Sequence, residues 1–407
     1  MKISAPPGTH DVLAKDWPNW ERIVAQAERL CTLYGYRPIT TPVLEETELF
    51  TRTSGTGSDV VQKEMYTFTD RGDRSLTLRP EATAPIARAY VEHGLHREPQ
   101  PQKLYTIGPM YRYSRPQRGR YREHWQLSVE AIGSADPAVD AEVIQLYEEL
   151  LRALDVGEYT LLLNSIGDRA CRPAYVERLT AWLDEHDSEL DAEAREKRAT
   201  SPLRVFDVKS ERVRKALESA PKIGDSLCAA CEEHFRAVRE FLDAYGVAYE
   251  LEPTLVRGLD YYTRTTWEFV GPEEGAQSSL SGGGRYDYLV EEIGGPPTPG
   301  VGFGAGVERL HLAVGPSAPP APRLEVFFAV DGGVQRRDLL ALMARLRRQG
   351  RACDADYADR SLRGQLTQAS RLNAETVVVA SKGSLTIRRA GETDVEAASI
   401  EELERLL

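Results

Sequence analysis

The stretch GPSAPPAPR at residues 315–323 sets four prolines among small residues and carries no hydrophobic period, so it divides the 407-residue chain into two separate folding problems. The part before it exceeds the size at which one hydrophobic core stops growing, so two or three domains are expected overall. After it, EVFFAV reads as a buried strand, and RRDLLALMARLRRQG has apolar residues at helical spacing with Gly350 as its stop. RACDADY, SLRGQLTQASRLNA, TVVVAS and SLTIRR continue the alternation of strand and helix. The end of the chain therefore reads as a compact α/β unit with a partly parallel sheet.

Upstream, residues 168–253 are dominated by helical patterns, RPAYVERLTAWLDEH and EEHFRAVREFLDAYG, with SPLRVFDVK between them. On either side stand segments rich in β-formers: PITTPVLEE, SLTLRPE, KLYTIGPMYRYSR, YTLLLNS and TTWEFVG. Few of these can be joined by crossover helices, so an antiparallel sheet is expected. The predicted organisation is α+β. Residues 1–167 and 254–315 form two parts of one domain, 168–253 a helical insertion, 316–322 a linker and 323–407 the C-terminal α/β domain.

Hydrophobic residues make up 41% of the chain and charged residues 28%, which excludes a disordered or collagen-like chain. No apolar run approaches the roughly 20 residues of a membrane helix, and MKISAPPGTHD has no apolar region after its lysine, so a cytoplasmic protein without a membrane partner is expected. The net charge of −12 argues against nonspecific coating of nucleic acid but leaves room for a specific RNA partner bound by a local arginine cluster. Five scattered cysteines, an odd number, give no disulfide framework. Cys228 and Cys231 form one CxxC with His234 three residues on. Tetrahedral zinc needs four ligands and no second pair lies nearby in sequence, so both are expected on the core side of a helix and no metal ligands are assigned.

Four stretches carry chemistry. GPMYRYSRPQRGRYREHWQLSVEAIG, residues 108–133, packs Arg112, Arg115, Arg118, Arg120 and Arg122 between β-prone runs, and guanidinium forks on a hairpin suit a triphosphate. In TLVRGLDYYTRTTWEF, Arg257 precedes the pair Tyr261–Tyr262, which on a strand would point to opposite faces. SGGGRYDYLVEEIGG is followed by GVGFGAGVERL, ending in Glu308–Arg309. A glycine run here either lets a ligand approach the backbone or makes a tight turn, and the context of a dinucleotide site is lacking. In SLTLRPEATAPIARAYVEHG, Glu81 stands where a strand gives way to a helix, either to cap that helix or to face a pocket and bind an ammonium group.

Together these stretches resemble the class II aminoacyl-tRNA synthetases, whose three motifs are similar to ITTPVLEETELFTRTSG, YRYSRPQRGRYREHWQ and GVGFGAGVERL. LVRGLDYY and SGGGRYD resemble the two signatures of histidyl-tRNA synthetases, and PPGTHD and SPLRVFDVK look like that family too. The resemblance implies a class II antiparallel sheet, a C-terminal anticodon-binding-like domain, a homodimer joined through motif 1, and L-histidine, ATP with Mg2+, and tRNA(His) as partners. It implies that Arg112 contacts the α-phosphate and the carboxylate, that Arg120 and Arg309 hold the outer phosphates, and that Arg257 stabilises charge on the α-phosphate. Glu81, Thr83 and Gln126 would hold the ammonium group, and Glu130 with Tyr262 would read the imidazole, with Tyr261 and Tyr286 beside them.

The chain departs from the family at three places. Ser114 stands where a glutamate accepts from the adenine amino group, His124 stands where a phenylalanine stacks on adenine, and the C-terminal domain keeps RSLRGQL but lacks the glutamate-bearing turn. The competing expectation is a non-catalytic, histidine-sensing relative such as the regulatory subunit of ATP phosphoribosyltransferase. Such relatives commonly lose the arginines, RGLDYY and the C-terminal domain, which are present here.

Overall fold

A computed structural model of the chain describes residues 3–55, 58, 60–208, 210–272, 278–315, 324–331, 336–381 and 384–407. The chain forms two compact units, Met1–Ala318 and Pro319–Leu407. The expected linker at 316–322 lies outside the described residues.

In the first unit, Trp20, Ile23, Ala27 and Leu30 recur every three or four residues along the helix Trp17–Leu33 and are buried together. That stripe joins a core built on an eight-stranded sheet. The order is Arg37–Pro38, Gln102–Tyr111, Glu123–Ile132, Gly300–Gly306, Ser279–Arg285, Thr263–Val270, Thr160–Ser165 and Glu250–Leu251. Pairing is antiparallel through the middle, as expected, and parallel only at the two short edge strands. One face packs on the helices Trp17–Leu33, Pro137–Ala153 and Val307–Val314, where Tyr147 meets Phe269 and Phe303 edge-on at 5.0 and 5.1 Å. Full burial of rings this size is worth about 1.5–3 kcal/mol each. The other face carries the helix Thr83–Glu92 and the cavity described below.

SGGGRYD does not make a tight turn. Gly282, Gly283 and Gly284 lie mid-strand in the centre of the sheet, and the missing Cβ atoms make room for the protein's own side chains. A Cβ at Gly282 would overlap the Arg257 guanidinium, and one at Gly302 would overlap the Glu130 carboxylate. At Gly284 a Cβ would stand 2.6 Å from the Tyr262 ring, and at Gly304 2.7 Å from Gln126 Nε2. Gly283 points to the opposite face, against Trp267, as strand alternation requires.

Arg285 ends that strand inside the protein. Its guanidinium, fully buried, reaches Asp140 on the helix Pro137–Ala153, with Nε at 3.2 Å from Oδ1, and also Asp287 and the Ser134 carbonyl. His234, on the helix Ala229–Tyr245, reaches the same Asp140 oxygen at 3.2 Å, so three elements close on one carboxylate. Opposing its burial, Arg285 and His234 hold Asp140 well below the usual carboxylate range.

Between Thr160–Ser165 and Glu250–Leu251 the chain runs through the helices Arg172–Glu185, Ala192–Thr200, Glu211–Ala216 and Ala229–Tyr245, with a 3-10 turn at Pro202–Asp207. Tyr175, Leu179 and Leu183 give this insertion its own core with Leu190, Val205 and Val213. The cysteine reading needs correction. Cys228 is not inside a helix but is the residue that precedes Ala229–Tyr245, and it is half-buried; Cys231 alone faces inward, and His234 turns away to Asp140.

The second unit has the strand order Cys353–Ala355, Val326–Asp331, Thr376–Ser381, Ser384–Arg389 and Val395–Ala397. Its first three strands are parallel and the remainder antiparallel, as the alternation of strand and helix predicts. Leu339, Leu342, Met343 and Leu346, on the helix Arg336–Arg348, pack on one face of this sheet.

Candidate active site

A cavity of about 370 Å³ opens on the glycine-bearing face of the first unit's sheet. Arg112, Arg120, Arg257 and Arg309 line it, each from a different local structure. Arg112 follows the strand Gln102–Tyr111, and its Nε donates to the Pro80 carbonyl at 2.7 Å. Arg120 sits in the hairpin that returns to Glu123–Ile132 and pairs with Glu64 at 2.9 Å. Arg309 stands at the start of the helix Val307–Val314, with Nε on the Gly119 carbonyl at 3.1 Å. Arg257 pairs with Glu268 at 3.0 Å, and its Nε has no partner among the described residues.

Burial and the guanidinium groups of Arg120, Arg112 and Arg257 push Arg309 below the usual arginine range, with Glu268 opposing them. Cations held in one recess repel each other, and an anion with several oxygens relieves that cost. Of the five arginines between 112 and 122, only Arg112 and Arg120 line the cavity. Arg115 and Arg118 are exposed, and Arg122 stacks on Tyr113 at 3.8 Å.

Glu81, Thr83, Gln126, Tyr261 and Tyr262 also line the cavity. Glu81 caps the helix and also faces the cavity. It accepts from the Thr83 and Ala84 amides at 2.5 and 3.0 Å, capping the helix Thr83–Glu92, and it faces the cavity. Burial raises its carboxyl above the ordinary range, opposed by those amides and by Arg112. Tyr261 and Tyr262 do not divide between core and pocket. They lie in the turn before Thr263–Val270 rather than on the strand, so both rings reach the cavity, 4.7 Å apart.

Glu130 and Tyr286 lie one layer behind the cavity wall. Thr83 Oγ1 donates to Glu130 Oε1 at 2.7 Å and the Tyr286 hydroxyl donates to Oε2 at 2.6 Å. Complete burial pushes the Glu130 carboxyl up to about 8.

Ser114 and His124, two of the three departures, both line the same cavity. The Ser114 hydroxyl and His124 Nδ1 are buried and make no hydrogen bond among the described residues. Burial, then Arg112 and Arg309, drive the His124 imidazole down to about 3, so its ring is neutral. Arg204 and Asp207 join the cavity from the insertion's 3-10 turn. They belong to SPLRVFDVK, a segment noted in the sequence but given no chemistry, because nothing local shows that the insertion folds back over the sheet. Glu308 also lines the cavity. It accepts from the Trp125 amide at 2.9 Å, and burial raises its carboxyl to about 7.

Such a sheet, with an arginine hairpin over glycine strands, is that of the class II aminoacyl-tRNA synthetases. Solved apo histidyl-tRNA synthetase of S. aureus matches it with a TM-score of 0.81 at 34% identity, covering 100% of this chain and 99% of that one. The family model described as histidyl-tRNA synthetase matches residues 8–310. Histidine–tRNA ligase of Desulforudis audaxviator is 47% identical over 96% of this chain and 93% of its own length, and that of Desulforamulus reducens is 45% identical over 99% and 97%. The chain belongs to the histidyl-tRNA synthetase family.

Proposed function

We propose that the cavity activates L-histidine with ATP and passes the histidyl group to tRNA(His), releasing diphosphate and then AMP. The observation that carries this reading is the convergence of Arg112, Arg120, Arg257 and Arg309 on one recess that also holds Glu81, Gln126 and two tyrosines. Attack of the histidine carboxylate on the α-phosphorus brings two anions together while the bond to the β-phosphate breaks. Fixed guanidinium groups stabilise the charge that builds up there.

In this reading Arg112 and Arg257 flank the α-phosphate, and Arg120 and Arg309 take the outer phosphates. Neutral His124 stacks on adenine. Mg2+ enters with ATP as its counterion, and Glu308 beside Arg309 is a carboxylate able to face it. Glu81, Thr83 and Gln126 hold the ammonium group, and Tyr262 meets the imidazole. Glu130 reaches the ring by exchanging its bond from Thr83 for one from the ring N–H.

The chain acts as a cytoplasmic homodimer joined through motif 1, and the second unit reads the anticodon. No described helix is long and apolar enough to cross a membrane.

ATP–pyrophosphate exchange with and without histidine tests the reading. Exchange that requires histidine is expected. Protein that binds histidine but never ATP would overturn the reading in favour of the histidine-sensing relative.

A further inference from the structure

Asp168, Cys171, Cys228 and Cys231 come together at the base of the insertion, away from the cavity, with one ligand atom from each within 4.8 Å of all the others. Cys171 Sγ lies 3.9 Å from Cys231 Sγ and 3.7 Å from Asp168 Oδ1. Bond lengths to tetrahedral zinc imply edges of about 3.8 Å between two sulfurs and about 3.6 Å between sulfur and carboxylate oxygen. We propose that these four residues form a structural zinc site that clamps the two ends of the helical insertion to the catalytic sheet.

The surroundings are those of a built site. Asp168 presents Oδ1 to the thiols, while its other oxygen is held by Arg264 at 3.3 Å, the outer contact that orients a ligating carboxylate. The Asp168 amide donates to Cys171 Sγ at 3.4 Å. Gly167, at φ +62°, has no Cβ, and one there would stand 2.6 Å from Cys171 Sγ. Cys171 and Cys228 each immediately precede a helix, Arg172–Glu185 and Ala229–Tyr245, so the two helix starts bring their sulfurs to one point. A disulfide between Cys171 and Cys231 does not account for the cluster, because their sulfurs stand at about twice a disulfide bond length.

The function of the clamp follows from what it closes. Asp168 and Cys171 follow the sheet strand Thr160–Ser165, and Cys228 and Cys231 begin the helix that returns to the sheet. Between them lies the segment that carries Arg204 and Asp207 into the cavity. One ion would tie off that segment as a closed loop and keep it from swinging away from the catalytic face.

The test uses the full chain, expressed with zinc in the medium. Elemental analysis after exhaustive dialysis should find about one zinc per chain, and Co2+ exchanged into the protein should show thiolate-to-cobalt charge transfer and tetrahedral d–d bands. Cys228→Ala, which alters a half-buried residue, and Asp168→Asn should each lose the zinc. Removing the ion from the wild type with a chelator should expose the segment 172–227 to limited proteolysis before the rest of the chain. Folded wild type that holds no zinc and shows no cobalt spectrum would overturn the proposal, as would Cys228 and Cys231 found oxidised to each other. Cys228→Ala and Asp168→Asn chains that both retain a full ion would equally overturn it.

Discussion

The guanidinium of Arg257 occupies the space that a side chain on Gly282 would fill. This contact makes a glycine on a central strand part of the geometry proposed for the reaction and yields a test of it. Gly282→Ala should displace Arg257 and lower histidine-dependent pyrophosphate exchange nearly as far as Arg257→Ala does, by roughly 10²–10³. Circular dichroism should show both variants folded. Unchanged exchange in Gly282→Ala would separate Arg257 from the reaction.

In the proposed reading Ser114 and His124 set how well ATP is held. The Ser114 hydroxyl lines the cavity with no partner among the described residues, so Ser114→Glu should supply an acceptor for the adenine amino group, a hydrogen bond worth about 1 kcal/mol net, and tighten ATP several-fold. His124→Phe should be tolerated, because the imidazole is neutral and contributes a ring face, whereas His124→Ala should weaken ATP. Calorimetric titration with ATP and with histidine, run separately, checks this. A loss of ATP affinity in His124→Phe would show that the imidazole acts through its nitrogens.

Glu130 links stability to pH. Its carboxyl is pushed up to about 8 by burial, opposed by the hydrogen bonds from Tyr286 and Thr83. Between the ordinary carboxylate range, about 4.3, and the folded value, the native state keeps a proton that the unfolded chain has lost. Stability therefore falls as pH rises through that window, and the slope disappears once the pH is above both values. Glu130→Gln should flatten this decline in urea unfolding measured across the window. An unchanged slope in the variant would place its origin elsewhere.

Arg285→Met should be costly although the volumes are similar. Removing one partner of a buried ion pair leaves Asp140 charged in the interior, which typically costs about 3–5 kcal/mol. The double variant Arg285→Met with Asp140→Leu should recover part of the loss, since the orphaned charge goes with it. Denaturant unfolding of the three chains gives the comparison, and a double variant no more stable than the single one would assign the loss to packing alone.

Local pattern in the sequence determined the elements and their chemistry. The spacing of Trp20, Ile23, Ala27 and Leu30 specifies a helix, the alternating strands specify a sheet, and the motifs name Arg112, Arg120, Arg257 and Arg309, which line the cavity, because each of these signals is written within a few neighbouring residues. Tertiary structure alone decided what distant segments do to one another. It turned three glycines into space for Arg257 and Tyr262 on one side of the sheet and Trp267 on the other. It put Glu130 behind Thr83, brought both Tyr261 and Tyr262 to the cavity through a turn, and folded Arg204 and Asp207 over the sheet. It also set Asp168 and Cys171 against a CxxC that lies 57 residues further on, counted from Cys171 to Cys228. The physical reason is common to all of these. A missing Cβ, a buried carboxylate or an incomplete set of ligands takes its meaning from the atoms packed against it, and those come from parts of the chain that no local period connects.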